Sequence, residues 1–425
     1  MLRSLFPQTD FLRNVLTLLS GTVLAQAIPI LLSPVLSRIY SPEEFGIFAI
    51  FSSFAAAFAA IATFRYELAI MLPEKESSAV NLLRLSFIIT VLLTALSFLF
   101  ILLFSHQLPV WLSTPELSQM QFYLPLFLLF AGGAQALNYW LSRQKKFRLL
   151  AAGKVSQTGI TGMVSIGLGI NGFSSLGLII GSIAGQFAAL SIYFAGAWKK
   201  LTTLEHFVSR KLMQENFRTY KTFITVNTPH ALLGVLQDIL VIFLLNYFFS
   251  KSLLGSYAFA FRILKVPAAL IGAAMFQVYF QKASTLVADG KKLQSLTKSV
   301  YVQMSLVGVP IFTALAFFAP PLFSWIFGAS WREAGEISQL LSPWLLLNFI
   351  FSPVAAITIV LNKQQWAMRF ALVDTLLRCA AIIIGGRMGN AQLAFVLLSL
   401  GSGSLLLYAL YRFYYLPVNV ENKTT

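Results

Sequence analysis

Long apolar runs alternate along the chain with short segments of charged, polar or turn-forming residues. The runs fall near 14–37, 45–64, 82–104, 119–141, 151–170, 175–197, 223–249, 254–280, 299–327, 337–361, 366–386 and 391–416. Each approaches the roughly 20 apolar residues that carry a helix across a bilayer. None shows the strict alternation of a barrel strand, so helices are implied, since in lipid every backbone polar group must be satisfied internally. The pattern predicts an all-α polytopic membrane protein with about twelve transmembrane helices.

Composition agrees. Of 425 residues, 57% are hydrophobic and 11% charged, where soluble domains carry about 25% charged residues. Twelve spans use about 240 apolar residues, essentially all that the chain has. No soluble catalytic domain is left over, and no enzymatic activity is expected. The net charge of +16 lies between the apolar runs rather than on one patch, which argues against nucleic acid as a partner. The single cysteine, Cys379, sits inside an apolar run, and the three histidines are far apart. Neither a disulfide framework nor a metal site is expected, and no cofactor. Near the N-terminus Arg3 and Arg13, the run Val15–Leu24 and Ala25-Gln26-Ala27 imitate a cleavable signal peptide. The apolar stretch continues through Ile28–Leu36, so an uncleaved first span is expected.

Loop charge fixes an orientation. With twelve spans, one set of alternate loops contains only Arg38, Lys251, Arg332 and Arg387, and Arg262, Lys265 and Arg378 lie within spans. Of 31 Lys and Arg, 31 − 4 − 3 = 24 fall on the other side with both termini. The positive-inside rule makes that side, and both termini, cytoplasmic. Trp140, Trp198, Trp325 and Trp366 fall at expected span ends, where interfacial anchors belong.

The chain reads as a duplication. Tyr40-Ser41 is followed by Gly46-Ile47-Phe48-Ala49, and Phe249-Ser250 by Gly255-Ser256-Tyr257-Ala258. Leu141-Ser142-Arg143-Gln144-Lys145 is echoed by Leu361-Asn362-Lys363-Gln364-Gln365. Both echoes sit at equivalent places in two six-span halves, which predicts six-helix bundles at 1–200 and 223–425 joined by a basic cytoplasmic linker, 201–222. Six is even, so the halves share orientation, and a pseudo-twofold along the membrane normal relates them.

Gly167-Leu168-Gly169-Ile170-Asn171-Gly172 matches the dinucleotide fingerprint, but it closes one span and opens the next instead of following a strand. Small residues that let helices approach, including Gly181-x-x-x-Gly185, explain the glycines better. Charges within spans are the informative residues, because lipid makes them expensive. Arg262 and Lys265 share one face of the eighth span, roughly 12 and 17 Å below its outer end, ahead of Pro267. Asp238 on the seventh span lies level with Lys265 and is either its structural partner or a coupling carboxylate. Asp374 and Arg378, at i,i+4 on the eleventh span, can satisfy each other; Asp374 is also a candidate for ion coupling. Arg65 stands at the inner end of the second span, with Glu67 two residues on and so off its helical face. Asn227, Thr228, His230, Gln237 and Asp238 make the seventh span polar, as the lining of a wet cavity. Asp238 or His230 is a candidate coupling site for H⁺ or Na⁺. Intramembrane bases outnumber acids, which suits an anionic substrate group bound by Arg262, Lys265, Arg65 and Arg378.

These residues resemble a family. Arg13-Asn14-Val15, Leu36-Ser37-Arg38-Ile39-Tyr40-Ser41-Pro42-Glu43-Glu44-Phe45-Gly46 and Arg65-Tyr66-Glu67-Leu68-Ala69-Ile70 look like Wzx-type polysaccharide flippases. These belong to the multidrug/oligosaccharidyl-lipid/polysaccharide exporter superfamily. Gly255-x-Tyr257-Ala258-x-x-x-Arg262-Ile263-x-x-x-Pro267 is similar to the eighth helix of the lipid II flippases, whose matching arginine lines a central cationic cavity. Those flippases carry arginines in their first span, where this chain offers Gln26. The resemblance implies a flippase for undecaprenyl-diphosphate-linked oligosaccharide, working by alternating access from the cytoplasmic to the periplasmic leaflet of a bacterial inner membrane. It further implies a place in O-antigen, capsule or exopolysaccharide synthesis, beside polysaccharide polymerase and chain-length proteins. A cation-coupled drug or small-solute exporter of the same fold is the alternative.

Overall fold

A computed structural model describes residues 8–111, 114–115 and 117–415; Arg3, Glu116 and Lys423 lie outside the described residues. Twelve helices of at least 20 residues follow one another: α1 (Gln8–Ile39), α2 (Pro42–Ile61), α3 (Glu76–Phe104), α4 (Tyr123–Arg143), α5 (Phe147–Ile170), α6 (Ser174–Thr203), α7 (Thr228–Phe248), α8 (Lys251–Ala288), α9 (Gln294–Phe327), α10 (Arg332–Val354), α11 (Gln364–Arg387) and α12 (Ala391–Tyr415). Among the described residues there is no strand. Each helix falls on one of the twelve apolar runs. Ten of the helical segments are long and apolar enough to cross a membrane. The other two, α5 and α11, have the length, but polar residues interrupt them. Lys154, Gln157, Thr158 and Thr161 do so in α5, and Arg369, Asp374, Thr375 and Arg378 in α11. They are the fifth members of two successive sets of six. The protein is therefore a multi-pass helical membrane protein.

By packing the chain divides into two compact units, Met1–Phe243 and Leu244–Thr425. The basic segment 201–222 belongs to the first. In that unit a core of Tyr66, Leu82, Leu137, Trp140, Leu150 and Tyr193 is closed to solvent. Leu96, Leu99 and Leu103 of α3 point outward, as the lipid-facing side of a membrane helix should. Trp140 corrects an expectation. It is fully buried in this core rather than at the interface, whereas Trp198 and Trp325 are exposed.

Caps and turns recur where the sequence echoes itself. Ser41 caps α2 with its hydroxyl accepting from the Glu44 amide, and Ser250 caps α8 by accepting from the Leu253 amide. Both caps have the same extended dihedrals, near φ −75, ψ 162 and φ −73, ψ 155. At the end of α4, the Lys145 amide donates to the Ser142 carbonyl and Lys146 to Leu141; before α11, Asn362 donates to Ile359 and Lys363 to Thr358. At the end of α5, Gly172 donates to Gly169 and Phe173 to Leu168; at the end of α11, Gly389 donates to Gly386 and Asn390 to Gly385. All four are the same helix-ending turn, with a left-handed residue that lets two orphan carbonyls be satisfied. Lys145, Gly172, Asn362 and Gly389 supply the positive φ. Both pairs lie 217 positions apart (362 − 145 and 389 − 172). Helices α5 and α11, each 24 residues, are thus framed identically. The structural match is three positions away from the register in which Leu141 pairs with Leu361, because turn geometry rather than side-chain identity sets it.

The segment after α6 is folded against the start of α3. The Asn81 amide donates to the Phe207 carbonyl at 2.8 Å, and its oxygen accepts from the Ser209 amide at 2.9 Å. A short helix, Arg210–Thr219, is held by Asn216 donating to the Ser78 carbonyl and by the Tyr66 hydroxyl donating to Phe217.

Candidate functional site

In the second unit, two of the sequence-selected cations, Lys265 of α8 and Arg378 of α11, stand over aromatic rings contributed by α8 and α10. Phe261, one residue before Arg262 on α8, lies parallel to Trp344 of α10, with centroids 6.1 Å apart and planes 4° from parallel. Lys265 Nζ stands 4.7 Å from the Phe261 ring centroid. The Arg378 guanidinium of α11 stands 4.7 Å from the Trp344 ring. The order is cation, ring, ring, cation. Tyr257, one turn before Phe261, stacks on it as well, at 5.6 Å. Aromatic faces attract cations electrostatically, by up to ~2 kcal/mol when desolvated, so the stack makes charge tolerable inside a membrane protein.

The cations differ in freedom. Arg378 is clamped. It pairs with Asp374 one turn earlier, as the i,i+4 spacing predicts, and both side chains are largely buried. Its Nε and the Trp344 indole N–H are buried without a partner among the described residues. Arg262 is exposed, and among the described residues no hydrogen bond or ion pair holds its guanidinium. It lies eleven residues into the 38-residue helix α8, about 16 Å along its axis. A bare guanidinium at that depth is sustainable only where its exposed surface meets water rather than lipid. Lys265, also exposed, is its neighbour one turn on. Nearby, Ser256 donates to the Glu333 carboxylate at 2.8 Å.

In the first unit Arg65 corrects an expectation. The sequence separated it from Glu67 because i,i+2 residues diverge on a helix. Instead α2 ends at Ile61, and Phe64 and Arg65 both adopt left-handed conformations, φ 47 and 63. That break turns the Arg65 guanidinium back to within 3.5 Å of Glu67. Glu67 is closed to solvent, accepts from the Thr63 hydroxyl, and accepts from the Gln135 amide of α4 at 2.8 Å. Burial pushes the Glu67 carboxyl above the usual carboxylate range, even though its hydrogen bonds and Arg65 act in the opposite direction. Asp238 and His230 are exposed on α7. So Lys265 and Arg378 meet one pair of stacked rings, with Arg262 beside Phe261 on α8, while Arg65, His230 and Asp238 belong to the other unit. Phe261 and Trp344 are the residues that sequence reasoning passed over, and the pairing of Glu67 with Arg65 is the contact it set aside.

The family described as polysaccharide biosynthesis protein matches residues 35–336. The chain belongs to this family. Among characterised relatives, the lipopolysaccharide biosynthesis protein WzxC of Escherichia coli (strain K12) is 23% identical over 167 residues, which span 39% of this chain and only 33% of WzxC. Among solved structures, the lipid II flippase MurJ in an inward closed conformation is similar at a TM-score of 0.64 and 14% identity, covering 94% of this chain and 87% of that one. An inward-facing multidrug resistance transporter of the MATE family, of the MOP superfamily, is similar at a TM-score of 0.63 and 13% identity, covering 92% and 93%. At such identities these likenesses establish the fold: that of the MOP superfamily, as the resemblance implied.

Proposed function

We propose that this protein flips an undecaprenyl-diphosphate-linked oligosaccharide from the cytoplasmic to the periplasmic leaflet of a bacterial inner membrane, with both termini cytoplasmic. Arg262 carries the reading: an exposed, unpaired guanidinium deep in a membrane-length helix, with Lys265 one turn away. A diphosphate is the lipid-linked group that such a pair suits, because a guanidinium grips phosphate oxygens through two parallel hydrogen bonds. Arg378, locked by Asp374 and Trp344, shapes the aromatic stack and leaves substrate contact to Arg262 and Lys265. Arg65, paired with Glu67, joins the substrate path once that pair opens. Asp238 and His230, exposed on α7, are the groups for coupling to H⁺ or Na⁺, with Asp374 engaged by Arg378. Membership of a polysaccharide biosynthesis family supports a polysaccharide precursor as cargo, for O-antigen, capsule or exopolysaccharide. A drug exporter fits less well, since the exposed charges at this site, Arg262 and Lys265, are basic.

The test is export of surface polysaccharide in a strain that depends on this protein. Arg262→Ala abolishes it while the protein inserts at normal levels. Arg262→Lys keeps part of it, because an ammonium lacks the bidentate fork. Full export with Arg262→Ala would sink the proposal.

A further inference from the structure

A second site lies at the basic end of the first unit, on its outer surface. Helices α3 and α6, together with the turn after α6, enclose an open groove of about 350 Å³, within the range of ligand-sized clefts. Its walls are apolar, with Leu83 and Phe87 of α3 facing Phe194 and Trp198 of α6. Two charged residues line it, Arg84 and Glu205. Both are exposed, and among the described residues neither makes an ion pair or a hydrogen bond through its side chain. Trp198 and Phe194 are also exposed, in the last turns of α6, and aromatic side chains at span ends favour the headgroup level.

The chemistry narrows the occupant. An apolar groove in a membrane protein that opens at the bilayer surface takes acyl chain. One free cation and one free anion at its mouth call for a headgroup bearing both charges. The anion must be compact enough for a guanidinium, which a phosphodiester is. The cation must donate hydrogen bonds to a carboxylate, which a primary ammonium does and a quaternary one cannot. We propose that this groove binds phosphatidylethanolamine of the adjoining leaflet, with the phosphate on Arg84, the ammonium on Glu205 and an acyl chain against Phe87, Phe194 and Trp198. Lipids of net negative charge would meet the Glu205 carboxylate without compensation, so the site discriminates against phosphatidylglycerol. The groove is built from the ends of α3 and α6 and from the segment that Asn81 ties down. An occupant there would brace that segment against the bundle. The proposal stands apart from the identity of the transported molecule.

The experiment is native mass spectrometry of the purified full-length protein, titrated with phosphatidylethanolamine, phosphatidylcholine and phosphatidylglycerol of matched chains. The wild-type protein retains phosphatidylethanolamine about three- to tenfold more tightly than either competitor, the size expected of a charge-assisted hydrogen bond at a partly exposed site. Glu205→Gln lowers phosphatidylethanolamine to the level of phosphatidylcholine, and Arg84→Gln weakens all three. Quenching of Trp198 by brominated phosphatidylethanolamine, read against Trp198→Phe, places the lipid in the groove. Equal retention of the three lipids, an unchanged preference in Glu205→Gln, or quenching unaffected by Trp198→Phe overturns the assignment.

Discussion

Replacing Gly185 with alanine puts one methyl group into a close contact between helices α5 and α6. Its Cβ would stand 2.5 Å from the Gln157 carbonyl oxygen and nearer still to the Thr161 hydroxyl. The hydroxyl can rotate away, but the carbonyl is α5 backbone. An ordinary carbon–oxygen contact is about 3.3–3.6 Å, so the helices must part locally by about 1 Å. Overpacking of this kind costs about 1–3 kcal/mol, less about 1 kcal/mol that alanine regains in helix propensity. In lipid no hydrophobic force re-closes the gap, since packing itself is the adhesive. Gly159 on α5 is the control, because a methyl there meets nothing within 4 Å and only the propensity gain remains. Melting of the purified protein in detergent, followed by size-exclusion recovery after heating, should rank Gly185→Ala below wild type and Gly159→Ala at or above it. A Gly185→Ala protein that melts with or above Gly159→Ala would refute the close-packing argument.

Three further outcomes are expected. Because folding raises the Glu67 pKa, its contribution is full below the unfolded pKa and is lost as pH rises through the higher folded value; Glu67→Gln should flatten that fall in melting temperature, and parallel pH profiles would contradict it. Asp374→Ala should destabilise the protein by about 3–5 kcal/mol by stranding the buried Arg378, whereas Asp374→Leu with Arg378→Met should recover folding, measured as detergent-soluble yield and melting. Reporter fusions after Lys200 and Lys292 should lie in the cytoplasm and one after Gly172 in the periplasm; reversal at two of the three would invert the topology.

The twelve helices were legible because lipid enforces long apolar runs and caps are written locally: Ser41 and Ser250 announce the starts of α2 and α8. The Asp374–Arg378 pair was legible for the same reason, since one turn of helix suffices to join its members. The Phe261–Trp344 stack was not, because its rings come from α8 and α10 and no local pattern signals their meeting. The Arg65–Glu67 contact was missed for a different reason. The i,i+2 argument presumes a helix, and neither Phe64 nor Arg65 is a residue type that advertises a left-handed break. Trp140 misled because a residue near a span end can still be covered, here by the core around Leu82 and Tyr193.

The matched frames around α5 and α11 open a division of labour. Fixed length and identical end turns put Gln157 in the slot of Asp374, and Thr161 in the slot of Arg378 (374 − 217 and 378 − 217). One copy fills these slots with neutral groups and uses them to seat Gly185 of its neighbour; the other fills them with a salt bridge capped by tryptophan. One of two like-framed helices can keep a packing role while the other takes on charge, with no change in backbone. Substitutions confined to one such helix can therefore recharge a single unit while the packing of the other stays intact.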